Sequence, residues 1–207
     1  MGELLERFPL FPLGLVLLPG ETVPLHIFEL RYRTMIETCL DSDSDFGMLW
    51  MSDSGLAEIG CTARITQVLE RMDDGRSNIL VEGTQPFRLE RRIDDLAYPA
   101  GDIELLEDEL GSEEESDAGT RARTEYAGLV QKVTDARPDE DDLTGLTAYD
   151  MAATVAFEPE SKQELLEIRS EGERLDRLAE LCAEAVERFD YAQSVSERAQ
   201  TNGKVRH

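Results

Sequence analysis

Two histidines, three cysteines and one short run of aspartates are the residues of this 207-residue chain that could do chemistry. A cysteine nucleophile needs a thiolate and a nearby base. The bases on offer are His26, inside the apolar stretch Thr22–Ile27, and His207, the last residue. Neither Cys39 nor Cys61 sits in a local catalytic signature, and His26 reads as a partly buried structural side chain. Asp41, Asp43 and Asp45 have the spacing that opens a calcium loop. Such a loop needs Gly at its sixth position and Glu at its twelfth, and Phe46 and Ser52 stand there. The run therefore reads as a solvated turn between a helix and a strand. There is no Cys-x-x-Cys or His-x-x-x-His pair to hold zinc. No glycine-rich phosphate loop is present, which speaks against ATP and dinucleotides. The expectation is a chain without catalytic residues, metal ligands or cofactor.

The elements around these residues change character near residue 110. Before it, short apolar stretches alternate with Gly, Pro and Asp; after it, apolar spacing is helical. Phe8 to Leu18 carries Pro9 and Pro12, which remove ladder donors and place it at a strand start or sheet edge. Thr22–Ile27 reads as a strand, and Phe28, Tyr32, Met35, Ile36, Cys39 and Leu40 as one helix face. Phe46–Met51, Leu56–Glu70, Asn78–Val81, Gln85–Ile93 and Asp102–Leu106 read as strands. Asp73-Asp74-Gly75-Arg76 supplies a hairpin turn, and Glu82-Gly83 breaks the run that follows. Parallel βαβ alternation is absent, so a mostly antiparallel, barrel-like sheet is expected. Arg121–Ala136 and Asp142–Ala156 read as helices. Ser161 and Ser170 each open a capping-box pattern. Leu175, Leu178, Ala179, Cys182, Val186 and Phe189 form one stripe on a long last helix. The expected organisation is a β-rich subdomain over 8–110, an acidic linker over 111–119, a helical subdomain over 120–195 and a frayed tail over 196–207.

Composition narrows the function. With 21 Lys and Arg against 45 Asp and Glu, the net charge is 21 − 45 = −24. Phosphates and anionic head groups are repelled, which argues against nucleic acid and membrane partners. No apolar run approaches the roughly 20 residues of a membrane span. Three scattered cysteines and the absence of a secretory leader pattern favour a reducing cytoplasm.

The opening Phe11-Pro12-Leu13-Gly14-Leu15-Val16-Leu17-Leu18-Pro19-Gly20, followed by Pro24-Leu25-His26-Ile27-Phe28-Glu29-Leu30-Arg31-Tyr32, resembles the start of the Lon protease N-terminal, substrate-binding domain. The resemblance continues through Glu58-Ile59-Gly60-Cys61, Val81-Glu82-Gly83 to Leu89, Lys162-Gln163-Glu164-Leu165-Leu166-Glu167 and Glu173-Arg174-Leu175. It implies an α+β fold, a PUA-like β-rich N-terminal subdomain followed by a helical bundle. It also implies a free-standing domain without the ATPase and peptidase modules. The implied function is non-catalytic binding of exposed apolar or unfolded polypeptide, as adaptor or regulator, with a protease or chaperone as a further partner. The alternative is a small-molecule binder or enzyme using a pocket between the subdomains.

Under the first reading the client strip is expected at Leu15, Leu17, Leu18, Pro19, Pro24 and Phe28. The opening segment has more apolar residues than one small barrel buries, and an uncovered strand edge offers free amides and carbonyls. The competing reading makes all six core. Glu29 and Arg31, two apart, cannot face each other on a helix, so each is expected to bind another part of the fold.

Overall fold

A computed structural model describes residues 2–109 and 117–202, with 196–202 as backbone only. The chain forms two compact units. The first comprises Met1–Leu110 together with Tyr149–Arg169; the second comprises Gly111–Ala148 and Ser170–His207.

The first unit is an antiparallel, sheet-rich body. Its strands are β1 (Leu4–Leu13), β2 (Thr22–Ile27), β3 (Phe46–Ser52), β4 (Gly55–Leu56), β5 (Ile59–Arg71), β6 (Ser77–Ile93) and β7 (Ala100–Leu105). The ladder runs β1-β7-β6-β5-β3-β4, and β1 also pairs with β3. That last pairing is parallel, with Leu10 opposite Gly47 and Leu13 opposite Trp50. It returns the hydrogen-bonded path to its start, so β1 has a neighbour on each side despite Pro9 and Pro12. β2 pairs with β6 alone among the described strands.

β1 contains a bulge that the sequence did not announce. Its register with β7 slips between Leu5 and Phe8, where Arg7 has φ of 56°. A bulge leaves an amide off the ladder. Here the Asp102 carboxylate of β7 accepts the Arg7 amide at 3.0 Å and the Arg91 guanidinium at 2.6 Å. These two contacts, the amide first, hold the Asp102 carboxyl below the usual carboxylate range.

β6 is one long strand, not two. Gly83 continues it because a side chain there would strike the main chain of the loop after β1. A Cβ on Gly83 would lie 2.1 Å from the Leu18 carbonyl oxygen. The Gly20 amide donates to the Gly83 carbonyl at 2.8 Å, and the Gly83 amide to the Glu21 carbonyl at 2.9 Å. The glycine therefore marks a close backbone approach within a strand.

One apolar cluster of this unit joins Leu10, Leu49, Phe87 and Ile103, none more than 2% exposed. Helix α1 (Leu30–Ser42) buries Tyr32, Met35, Ile36 and Cys39. Phe11 meets Tyr32 at a ring distance of 4.1 Å and Phe46 at 6.1 Å. The helix stops at Asp43, which adopts the left-handed conformation (φ 49°) and donates its amide to the Cys39 carbonyl.

The expected helical subdomain over 120–195 is divided between the units. Its middle, Tyr149–Arg169, belongs with the sheet. Within it, helix α5 (Pro159–Glu167) sends Gln163 Nε2 to the Ile59 carbonyl at 3.1 Å and Lys162 to Glu21. Pro159 takes the first turn of α5, so Ser161 is interior and caps nothing. The expected helix over 142–156 is instead α3 (Glu140–Leu143) and α4 (Ala148–Ala152), parted by Gly145 at φ of 81°.

In the second unit, α2 (Asp117–Thr134) packs on α6 (Glu171–Asn202). Ala122, Tyr126 and Leu129 are buried on α2, and Leu175, Leu178, Ala179 and Cys182 on α6. The α6 stripe fades earlier than expected, since Phe189 is 41% exposed. Ser170 does precede α6, with its Oγ 3.5 Å from the Glu173 amide. Of the acidic linker, 117–119 are the first residues of α2, and 111–116 lie outside the described residues. In the expected tail, α6 continues to Asn202.

Candidate functional site

Strand β2 sorts its side chains by alternation. Leu25 and Ile27 are buried, while Thr22, Pro24 and His26 face outward. Phe28 follows and is 59% exposed; Leu30, at the start of α1, is 72% exposed. His26 is thus exposed, not partly buried, because it shares its face with Pro24. Its Nδ1 lies 2.6 Å from Asn78 Oδ1 on β6, and Asn78 Nδ2 donates to Glu70 at 2.9 Å on β5. The imidazole stacks on the Phe28 ring at 5.8 Å. A polar relay across three strands therefore steadies an aromatic ring that stays in solvent.

The six residues expected to line a client strip do not share one exposed face. Leu17 and Leu18 are core, at 2% and 0% exposure. The physical cause is the loop geometry. The Leu18 amide donates to Glu21 Oε2 at 3.1 Å, the Glu21 amide returns to the Leu18 carbonyl at 3.1 Å, and Pro19 bridges to Gly83. That clamp turns both leucines inward. Leu15 and Pro19 are half-buried, and only Pro24 and Phe28 face solvent. Leu30 was missed. A helical count starting at Phe28 hid it, because α1 begins two residues later and Phe28 lies outside its apolar face.

Glu29 and Arg31 bind each other, contrary to expectation. Arg31 Nε donates to Glu29 Oε2 at 3.0 Å. Glu29 is the residue before α1, in extended conformation (φ −72°, ψ 136°), so helical spacing does not govern the pair. The Arg31 guanidinium also lies 4.5 Å from the centre of the Tyr32 ring.

Cys39, Cys61 and Cys182 are free and buried. Burial raises all three thiols above their ordinary range, with Cys182 pushed up to about 12. Asp45 pairs with Arg64 at 3.2 Å, and Asp43 ends α1. Among the described residues no group of His, Cys, Asp and Glu is arranged to hold a metal ion. No described helix is long and apolar enough to cross a membrane.

These features define a class: a sheet-rich body with helix α5 packed on it, and a helical unit, with Pro24, Phe28 and Leu30 exposed on the first. The family model for the ATP-dependent protease La (LON) substrate-binding domain matches residues 7–184. The chain belongs to that family. It is 24% identical over 205 residues to the Lon protease of Paraburkholderia phytofirmans, covering 92% of this chain and 25% of that protein. It is 25% identical over 190 residues to the Lon protease of Escherichia coli strain K12, covering 83% and 24%. The chain thus spans about a quarter of the length of these curated relatives. Among solved structures, a Lon N-terminal domain protein from Xanthomonas campestris superposes with a TM-score of 0.65 at 25% identity, covering 84% of this chain and 97% of that one. The N-terminal domain of a Mycobacterium avium complex Lon protease gives 0.63 at 20% identity, covering 86% and 98%.

Proposed function

We propose that the protein binds polypeptide through the outer face of β2 and the start of α1, without catalysing a reaction on it. The observation that carries this reading is the exposed strip of Pro24, Phe28 and Leu30. Membership of a substrate-binding family supports it. Large apolar side chains exposed within seven residues of one another favour an apolar partner. β2 pairs on one side only among the described strands, so an extended client segment could add main-chain hydrogen bonds along its other edge. The net charge of −24 selects clients with basic flanks and discourages self-association.

A role as adaptor or regulator of a protease or chaperone, in the cytoplasm, follows from the same reading. Titration of the protein with reduced, carboxymethylated lactalbumin at about 0.5 M salt, which screens the repulsion between two acidic chains, followed by fluorescence anisotropy, tests it. Saturable binding to the unfolded chain and none to native lactalbumin is expected. Equal binding to both, or to neither, contradicts the proposal.

A further inference from the structure

A second feature of the sheet-rich unit stands apart from the apolar strip. Three arginines from three places in the chain line one cleft of about 90 Å3: Arg33 on α1, Arg71 at the end of β5, and Arg76 after the hairpin turn. The volume is several times what a single water needs. In a chain with 21 basic residues against 45 acidic ones, three arginines share the wall of one small cleft with a single carboxylate, Glu37.

Two of the three have no side-chain hydrogen bond or ion pair among the described residues. Arg76 Nε donates to Asp74 Oδ2 at 2.7 Å. Arg71 has no side-chain hydrogen bond or ion pair among the described residues. Arg33 Nε is buried and without an acceptor among the described residues. Its guanidinium is held against the turn, since a Cβ on Gly75 would lie 1.9 Å from one of its terminal nitrogens. Gly75, at φ of 82°, provides both the turn and the space. Asp74 faces the Arg76 and Arg33 charges, and Glu37 on α1 is the one carboxylate on the cleft wall. A buried donor left unmade costs free energy that a bound oxygen acceptor recovers. Guanidinium groups match the oxygens of phosphate through paired N–H donors.

We infer that this cleft binds a phosphate group, free or as a monoester, between Arg33, Arg71 and Arg76. The inference is independent of polypeptide binding at the apolar strip. Calorimetric titration with inorganic phosphate, against sodium chloride at equal ionic strength, tests it on the whole protein. One saturable site is expected for phosphate and none for chloride. Arg71 is exposed and free of structural partners, so Arg71→Gln should leave the melting temperature in place and weaken phosphate roughly tenfold. Glu37→Gln, which removes the carboxylate from the wall, should tighten binding. A parallel titration with a phosphoserine peptide separates the sources: tighter binding of the peptide assigns an ester, and tighter binding of inorganic phosphate a free anion. Phosphate that binds no better than chloride overturns the site, as does an Arg71→Gln protein that binds phosphate unchanged.

Discussion

Lys162 Nζ lies 2.5 Å from Glu21 Oε1, and the two side chains are only 12% and 10% exposed. One partner follows the first strand of the chain and the other sits in α5, 141 residues later. Glu21 also uses its second oxygen to hold the Leu18 amide. The pair therefore ties α5 to the loop that points Leu17 and Leu18 inward.

Removing one charge from a buried pair leaves the other uncompensated. Lys162→Met should cost roughly 3–5 kcal/mol in urea unfolding. The double variant Glu21→Gln/Lys162→Met should recover part of that loss. A single Lys162→Met protein as stable as wild type would show that the contact contributes nothing.

Leu18 is a packing residue. Leu18→Ser should lower stability by about 2–5 kcal/mol, because the cavity cannot close around a loop clamped at Gly83. Denaturant unfolding measures this. The refolded variant should bind unfolded lactalbumin like wild type, and a stable variant that loses binding would return Leu18 to the client site.

The three thiols predict an alkaline weakness. Burial raises each above its ordinary value, so the folded protein keeps protons that the unfolded chain releases above about pH 9. Stability should then fall as pH rises, by up to about 1.4 kcal/mol per pH unit for each thiol. Urea midpoints across pH 8 to 10 measure the slope, with Cys182→Ala reducing it. At neutral pH a thiol reagent should label the cysteines only after unfolding.

Much of this architecture was legible because local patterns spoke for themselves. Alternation marked β5, Asp74-Gly75 marked the hairpin, and the Leu175 to Cys182 spacing marked the buried face of α6. What escaped depended on distant partners. Gly83 looks like a strand breaker until the Leu18 carbonyl is placed beside it. Arg7 gives no local sign of a bulge, because the Asp102 side chain that satisfies its amide is 95 residues away. The membership of 149–169 in the first unit rests on Glu21 and Ile59, which no window around α5 contains. For the strip, residue type identified apolar candidates, but the sense of each side chain came from the clamp at Gly83 and from the start of α1. Leu17 and Leu18 therefore moved to the core, and Leu30 came into view.

The central claim is that Phe28 and Leu30 serve binding and not folding. The double variant Phe28→Ser/Leu30→Ser tests it most directly, with melting temperature and affinity for carboxymethylated lactalbumin measured on the same preparation. Both side chains are more than half exposed, so little burial is lost and the melting temperature should move by no more than a few degrees. Affinity should fall about tenfold or more, as expected when apolar anchors of a contact are removed. An unchanged affinity with an unchanged melting temperature would contradict the account.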